Sequence, residues 1–385
     1  MKPFEIMFAS IRTEICGIDE SAKIKENISD ENIDELYQAA KLHDLAHIVA
    51  SSLEKLGVLG DNEISKKLSK QQMLAVLRYE RINYELGELC RILEENKIPF
   101  MPLKGSVLRA YYEQPWMRTS CDIDVLINES DIDSAVGKLS EKGYKIGEKA
   151  SHDVSIFAPS DVHIELHYNL VEDVSIGNSK EILSDIWKNV TLKEGTRYHY
   201  VMPDELFYFY HIAHMAKHFE NGGCGVRPFL DMWLLNHKFS PDKLRRDEML
   251  SRGGLLKFAR GCEELSEVWF SSAAYSDLTK CLEDYILRAG VYGNEKNRVV
   301  VNQANKGGKA SYIFSRIFLP YDLIKFQYPV LQKHKWLTPI MEVRRWFNLL
   351  KKDKAKSKLR ELKISNNVSD DNRNEAAEML KKLGI

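Results

Sequence analysis

At 385 residues the chain is long for one compact domain, which predicts two or three units, each able to bury a core. Its 55 basic and 56 acidic side chains leave a formal net charge of −1, which weighs against a long nucleic acid as partner while leaving room for a local basic patch. Six scattered cysteines without a Cys-x-x-Cys pair exclude a zinc-ribbon pattern and a disulfide framework, and fit a reducing cytoplasm.

Along the chain, Arg12 and Glu14 interrupt the apolar N-terminus before a signal peptide could be complete, and no apolar run reaches the length of a membrane span. Ile33, Leu36, Ala40, Leu45, Ile48, Val49 and Leu53 recur at helical spacing and predict one helix over 32–56, with Asp30 as a cap and Gly57 as a stop. Met73, Leu77, Ile82, Leu86, Leu89 and Leu93 predict a second helix over 70–95. Residues 1–97 thus read as a helical region whose apolar faces are core.

From 98 to 200 the pattern is mixed. Ile98 to Leu103 reads as a short strand, Gly105-Ser106 as a turn and 107–112 as a short helix. This order places backbone N–H groups at a helix N-terminus, a candidate phosphate cradle. Residues 121–127 alternate at the period of a strand, so Asp122 and Asp124 share one face. Paired carboxylates there are costly unless a cation or hydrogen bonds offset them, and an all-oxygen set suits Mg²⁺. Residues 131–142 read as a helix, 143–146 open a strand, and 154–157 with 162–168 form a hairpin. The last strand presents Glu165 between Ile164 and Leu166, and a third acid can complete two metal sites and accept a proton from an attacking hydroxyl.

Residues 201–385 read as helical again. Pro203 opens a helix whose positive end is favoured by Asp204 and Glu205. His211, His214 and His218 share one of its faces, as a polar cleft wall, as satisfied partly buried histidines or as a zinc site. Gly222-Gly223 reads as a turn; Arg227 and Asp231 open the next helix, where Asp231 pairs with Arg227 or with a histidine. Helices follow over 255–270 and 278–288, and 291–297 reads as a solvated loop, with a cleft-facing one as the alternative. Arg344, Arg345 and Trp346 suit the capping of a helix pair, with a nucleic-acid backbone or an interface as the alternatives. The run Lys351 to Lys358 reads as a solvated tail, or as a contact for RNA or anionic lipid.

A glycine-serine turn followed by hydrophobic-Asp-hydrophobic-Asp and later by hydrophobic-Glu-hydrophobic resembles the nucleotidyltransferase superfamily of the DNA polymerase beta type. The words Leu103-Lys-Gly105, Arg118-Thr-Ser-Cys-Asp-Ile-Asp-Val-Leu-Ile127 and Ile164-Glu-Leu-His167 resemble, more narrowly, a bacterial family of mostly uncharacterised nucleotidyltransferases. The gap from Ser106 to Asp122 is longer than in compact members of the superfamily. The resemblance implies an α+β protein: a small mixed nucleotidyltransferase sheet with helices over 98–200, flanked by an N-terminal helical region over 1–97 and a C-terminal helical domain over 201–385. It implies that Asp122 and Asp124 hold Mg²⁺ or Mn²⁺ and that Glu165 completes the second metal and helps deprotonate the acceptor. Gly105 and Ser106 would hold the β- and γ-phosphates, and Lys104 and Arg118 would pair with the triphosphate of ATP or another NTP. The reaction implied is NMP transfer to a hydroxyl of a small molecule or protein, with release of pyrophosphate. The alternative is a catalytically silent, nucleotide-binding regulatory protein of the same fold; a purely helical scaffold would leave three alternating acids unexplained.

Overall fold

A computed structural model describes residues 1–170, 177–220, 222–238, 242–290, 293–305, 308–349, 364–365 and 368–385. The chain begins with helices α1 (Pro3–Ile11), α2 (Ser21–Asn27), α3 (Ile33–Leu42), α4 (Ala46–Lys55) and α5 (Glu63–Glu95). The apolar N-terminus, inside the region read as helical, forms α1: Ile6, Met7, Ala9 and Ile11 are fully buried, and the Phe8 ring stacks on Trp269 at 5.0 Å. The single helix expected over 32–56 is instead two. Asp44 takes φ 55 and turns the chain between α3 and α4, and the Leu45 amide closes back on the Ala40 carbonyl. A short polar side chain tolerates that left-handed conformation better than its neighbours would. Helix α5 begins earlier than expected, where the Asn62 side chain accepts from the Ser65 amide as an N-cap.

Strands β1 (Phe100–Pro102), β2 (Asp122–Ile127), β3 (Lys145–Lys149), β4 (Asp153–Phe157) and β5 (His163–His167) form one sheet in the order β1-β2-β5-β4-β3. The inner pair β2/β5 is parallel and the other pairings are antiparallel. Helix α6 (Gly105–Leu108) follows β1, and α7 (Ile132–Glu141) follows β2. Alternation along the strands assigns the faces. Ile123, Val125 and Ile127 with Ile164 and Leu166 enter a core shared with Leu89 and Ile92 of α5 and Ile132 and Leu139 of α7. The acids are left on the opposite face. A mixed sheet with flanking helices is the α+β class that the alternation predicts.

After α8 (Ser179–Ser184) and the short ribbon β6 (Thr191–Leu192) and β7 (Tyr200–Val201), helices α9 (Asp204–Glu220) and α10 (Arg227–Lys238) stand over the acidic face. The glycines between them turn the chain at φ 111 and 106, conformations that an L side chain rarely adopts. Then come α11 (Lys243–Arg252), α12 (Leu256–Ser271), α13 (Asp277–Leu287), α14 (Glu295–Asn305), α15 (Lys309–Ile317), α16 (Tyr321–Gln327), α17 (Val330–Lys333), α18 (Thr338–Leu349) and a final helix, Asp370–Leu383. A second core joins α1 and α4 to α9, α10, α12 and that final helix. Of the connection over 291–297, residues 293 and 294 pack on the glycine turn rather than lying free in solvent: a Cβ at Gly293 would sit 2.6 Å from the Gly222 carbonyl oxygen. Residues 291–292, Asn221 and the lysine run 351–358 lie outside the described residues. Among the described residues no helix is long and apolar enough to cross a membrane.

Candidate active site

Parallel pairing sets Asp124 of β2 opposite Glu165 of β5, and Asp122 opposite His163. Because both strands alternate in step, Asp122, Asp124, His163, Glu165 and His167 all project from the same sheet face. Ligand atoms of Asp122, His163 and Glu165 lie within 4.8 Å of one another, as do those of Asp124, Glu165 and His167. The three acids read from the sequence therefore converge. The two histidines carry no role in the sequence reading, although His-Ile-Glu-Leu-His alternates in the same register as Glu165 and was the signal for them.

The charges on this face are not equivalent. Lys104 Nζ donates to Asp124 Oδ1 at 2.8 Å, and His167 Nε2 lies 2.8 Å from the same oxygen and 3.3 Å from Glu165 Oε2. Burial alone would raise the Asp124 pKa, but Lys104 and His167 more than offset it and hold the carboxyl well below its usual range. Glu165 is lowered by its His167 hydrogen bond, against burial. His167 is raised in turn, the two carboxylates outweighing its burial. Asp122 goes the other way: burial, then the charges of Asp124 and Glu165, push its carboxyl up. Lys104 and His163 offset only part of that, so like charge accumulates at Asp122, which is the condition that a bound metal relieves. The donor set of hard carboxylate oxygens fits Mg²⁺ or Mn²⁺, with two imidazoles at its edge.

Opposite the acids, a cleft of about 270 Å³ is lined by Tyr210, His211, His214 and His218 of α9 and by Arg227 and Asp231 of α10. The histidine row thus lines the cleft, and its first member is also a buried, hydrogen-bonded histidine, which joins two of the three sequence readings. His211 Nε2 lies 2.9 Å from the Pro228 carbonyl, and the His214 and His218 rings meet edge to face at 4.5 Å. Burial depresses both, His218 to about 4, so these imidazoles are neutral at neutral pH.

The four expected phosphate contacts fall in different places. Lys104, at φ 43, is the turn itself, and Gly105 is the first residue of α6. Gly105 borders the cleft, where a Cβ would meet the Ser120 Cβ at 3.3 Å. Ser106 does not border it: its amide donates to the Leu103 carbonyl, and its side chain edges a second cavity between α5, α6 and α9. Ser120 borders the cleft in its stead, its hydroxyl accepting from Arg109 Nη2 at 3.0 Å and donating to the Asp122 carbonyl at 3.2 Å. Arg118 lines the cleft but directs Nε to Asp231 at 2.7 Å, and Tyr112 donates to the same carboxylate at 2.8 Å. The expected pairing of Asp231 with Arg227 or a histidine is therefore wrong. Arg227 reaches Asp44 at the α3–α4 break instead, at 2.8 Å, and the same nitrogen donates to the Thr119 carbonyl at 3.1 Å.

A family described as uncharacterised nucleotidyltransferase matches residues 29–271. The chain belongs to this nucleotidyltransferase family. No curated protein and no solved structure matches it. The matched stretch of this family member runs from just before α3 to the end of α12, and so contains the sheet, the acids and both cleft walls.

Proposed function

We propose that the chain transfers an NMP from an NTP to a hydroxyl acceptor, a small molecule or a protein side chain, with Asp122, Asp124 and Glu165 as the catalytic carboxylates. The observation that carries this reading is the convergence of the three acids on one sheet face, beneath a cleft walled by histidine and arginine. Mg²⁺ or Mn²⁺ held by these carboxylates would supply positive charge for the triphosphate and for the entering and leaving oxygens. Lys104 keeps Asp124 ionised for that role, and with Arg118 and the Gly105 amide it adds positive potential where the phosphates would lie. Glu165, held as an anion by His167, is the group assigned to take the acceptor proton. The acceptor oxygen bonds to the α-phosphorus as the bond to the β-phosphate bridging oxygen breaks, and that electron pair leaves with pyrophosphate.

The test is pyrophosphate release from each of the four NTPs with Mg²⁺ and cell extract as acceptor source, for wild type and Asp122→Ala in parallel. Release that needs both extract and Asp122, with an unchanged circular dichroism spectrum, supports the assignment. Nucleotide binding without release from any NTP supports the silent regulatory reading, and full activity in the variant removes Asp122 from the mechanism.

A further inference from the structure

Helix α18 is turned inside out. Its charged pair is buried: Glu342 and Arg345 are 6% and 7% exposed, bonded to each other at 2.7 Å, with Glu342 also accepting from the Leu319 amide. Trp346 Nε1 donates to the Ile317 carbonyl, so this side holds α18 against α15. Its apolar stripe faces outward. Ile340, Val343 and Phe347 follow at intervals of three and four residues, the spacing of one helix face, Trp336 precedes them by four residues in the 3-10 turn that leads into α18, and all four are 43% to 72% exposed. Phe314 and Phe318 of the neighbouring α15 region extend the patch, also exposed and 4.9 Å apart. Scattered apolar side chains need no explanation, but a contiguous stripe in register on one helix does.

The charge around the stripe narrows what covers it. Residues 309–349 hold seven basic and two acidic side chains in a chain whose total is −1. Lys333, Lys335 and Arg344, within eleven residues of one another along this segment, are exposed, Lys335 and Arg344 over the Tyr321 and Tyr328 rings, whereas Glu342 is turned inward. A second copy would bring the same positive charge against this one. A surface of aromatic and aliphatic side chains rimmed by lysine and arginine matches the boundary between acyl chains and anionic headgroups.

We propose that the exposed α18 stripe docks the protein on an anionic lipid surface, with Trp336, Ile340 and Phe347 entering the headgroup layer and Lys333, Lys335 and Arg344 at the phosphates. The mode is peripheral and independent of the nucleotidyltransferase reading. The test is co-sedimentation of the full chain with vesicles of phosphatidylcholine alone and with about 30% phosphatidylglycerol. The expected result is binding to the anionic vesicles only, weakened by about tenfold or more in Ile340→Glu/Phe347→Glu, a loss sized by one large apolar side chain leaving its burial. It is weakened again in Lys333→Glu/Lys335→Glu and by high salt. Both double variants change exposed positions, so unaltered melting temperatures confirm that they fold. Absence of binding to anionic vesicles overturns the proposal, as does binding indifferent to Ile340→Glu/Phe347→Glu. A dimer in solution that this variant dissolves, or a shift of poly(U) RNA without vesicle binding, assigns the stripe to another occupant and overturns it equally.

Discussion

Lys104 is the residue on which the acidic face depends. Burial opposes its charge, yet Tyr210, Asp124 and Glu165 hold its pKa above the ordinary lysine value, so it stays a cation beside Asp124. Lys104→Met leaves Asp124 with a buried, half-compensated charge. The expected cost in unfolding free energy is about 2 kcal/mol, less than for a fully enclosed pair because Lys104 keeps some solvent contact. Adding Asp124→Asn should return part of that loss, and a denaturant double-mutant cycle reads the coupling. Arg118 is more enclosed. With Asp231 fully buried and bonded to both Arg118 and Tyr112, Arg118→Met is expected to cost about 3 kcal/mol or more by the same measurement. Arg118→Lys would not rescue it, since an ammonium cannot reproduce the guanidinium's geometry. Of the two small residues at the α6 turn, only Gly105 borders the cleft. Ser106→Ala should accordingly leave pyrophosphate release within about threefold of wild type, whereas Gly105→Ala, pressing on Ser120, should lower it more.

At the scale of elements, the site is assembled by two kinds of join. One is the parallel β2/β5 register, which a strand slip of one residue would destroy by turning the acids into the apolar core. The other is the glycine turn that returns the chain from α9 to α10 over the cleft. A Cβ at Gly222 would lie 2.7 Å from the Asn294 carbonyl oxygen, at a φ of 111. Gly222→Ala is therefore expected to destabilise by more than about 1 kcal/mol, visible as a lower urea midpoint with an unchanged slope. An unaltered midpoint would mean that the turn relaxes freely and does not hold α10 in place.

For the whole molecule, one core ties the first helix to the last, and burial of titratable groups in it links stability to pH. His43 is fully buried, and burial lowers its pKa from 6.5 to about 4. The unfolded chain binds the proton near pH 6.5 and the folded chain only near 4, so between these values the unfolded state holds more protons. The stabilisation is complete above the unfolded value and is lost as pH falls toward 4, by up to about 1.4 kcal/mol per pH unit for this histidine. Urea midpoints at about pH 7 and about pH 5 should differ in that direction, and the difference should shrink in His43→Leu. Equal midpoints in the wild type would contradict the burial argument.

Local spacing alone determined the strands that carry Asp122, Asp124 and Glu165, the helical character of both flanks and the glycine turn, because period, breaker residues and charge pattern are properties of neighbours in the chain. Spacing within a strand even specified that the two aspartates share a face. Which cation meets which carboxylate was decided in three dimensions. Lys104 is twenty residues from the Asp124 that it neutralises, Arg118 meets Asp231 across 113, and Arg227 meets Asp44 across 183. Such pairings follow from how the sheet, α3 and α10 pack, and no local pattern encodes that distance. The same reason hid the α18 stripe: an amphipathic helix declares two faces in its sequence, and only the packed structure shows that the charged one was buried.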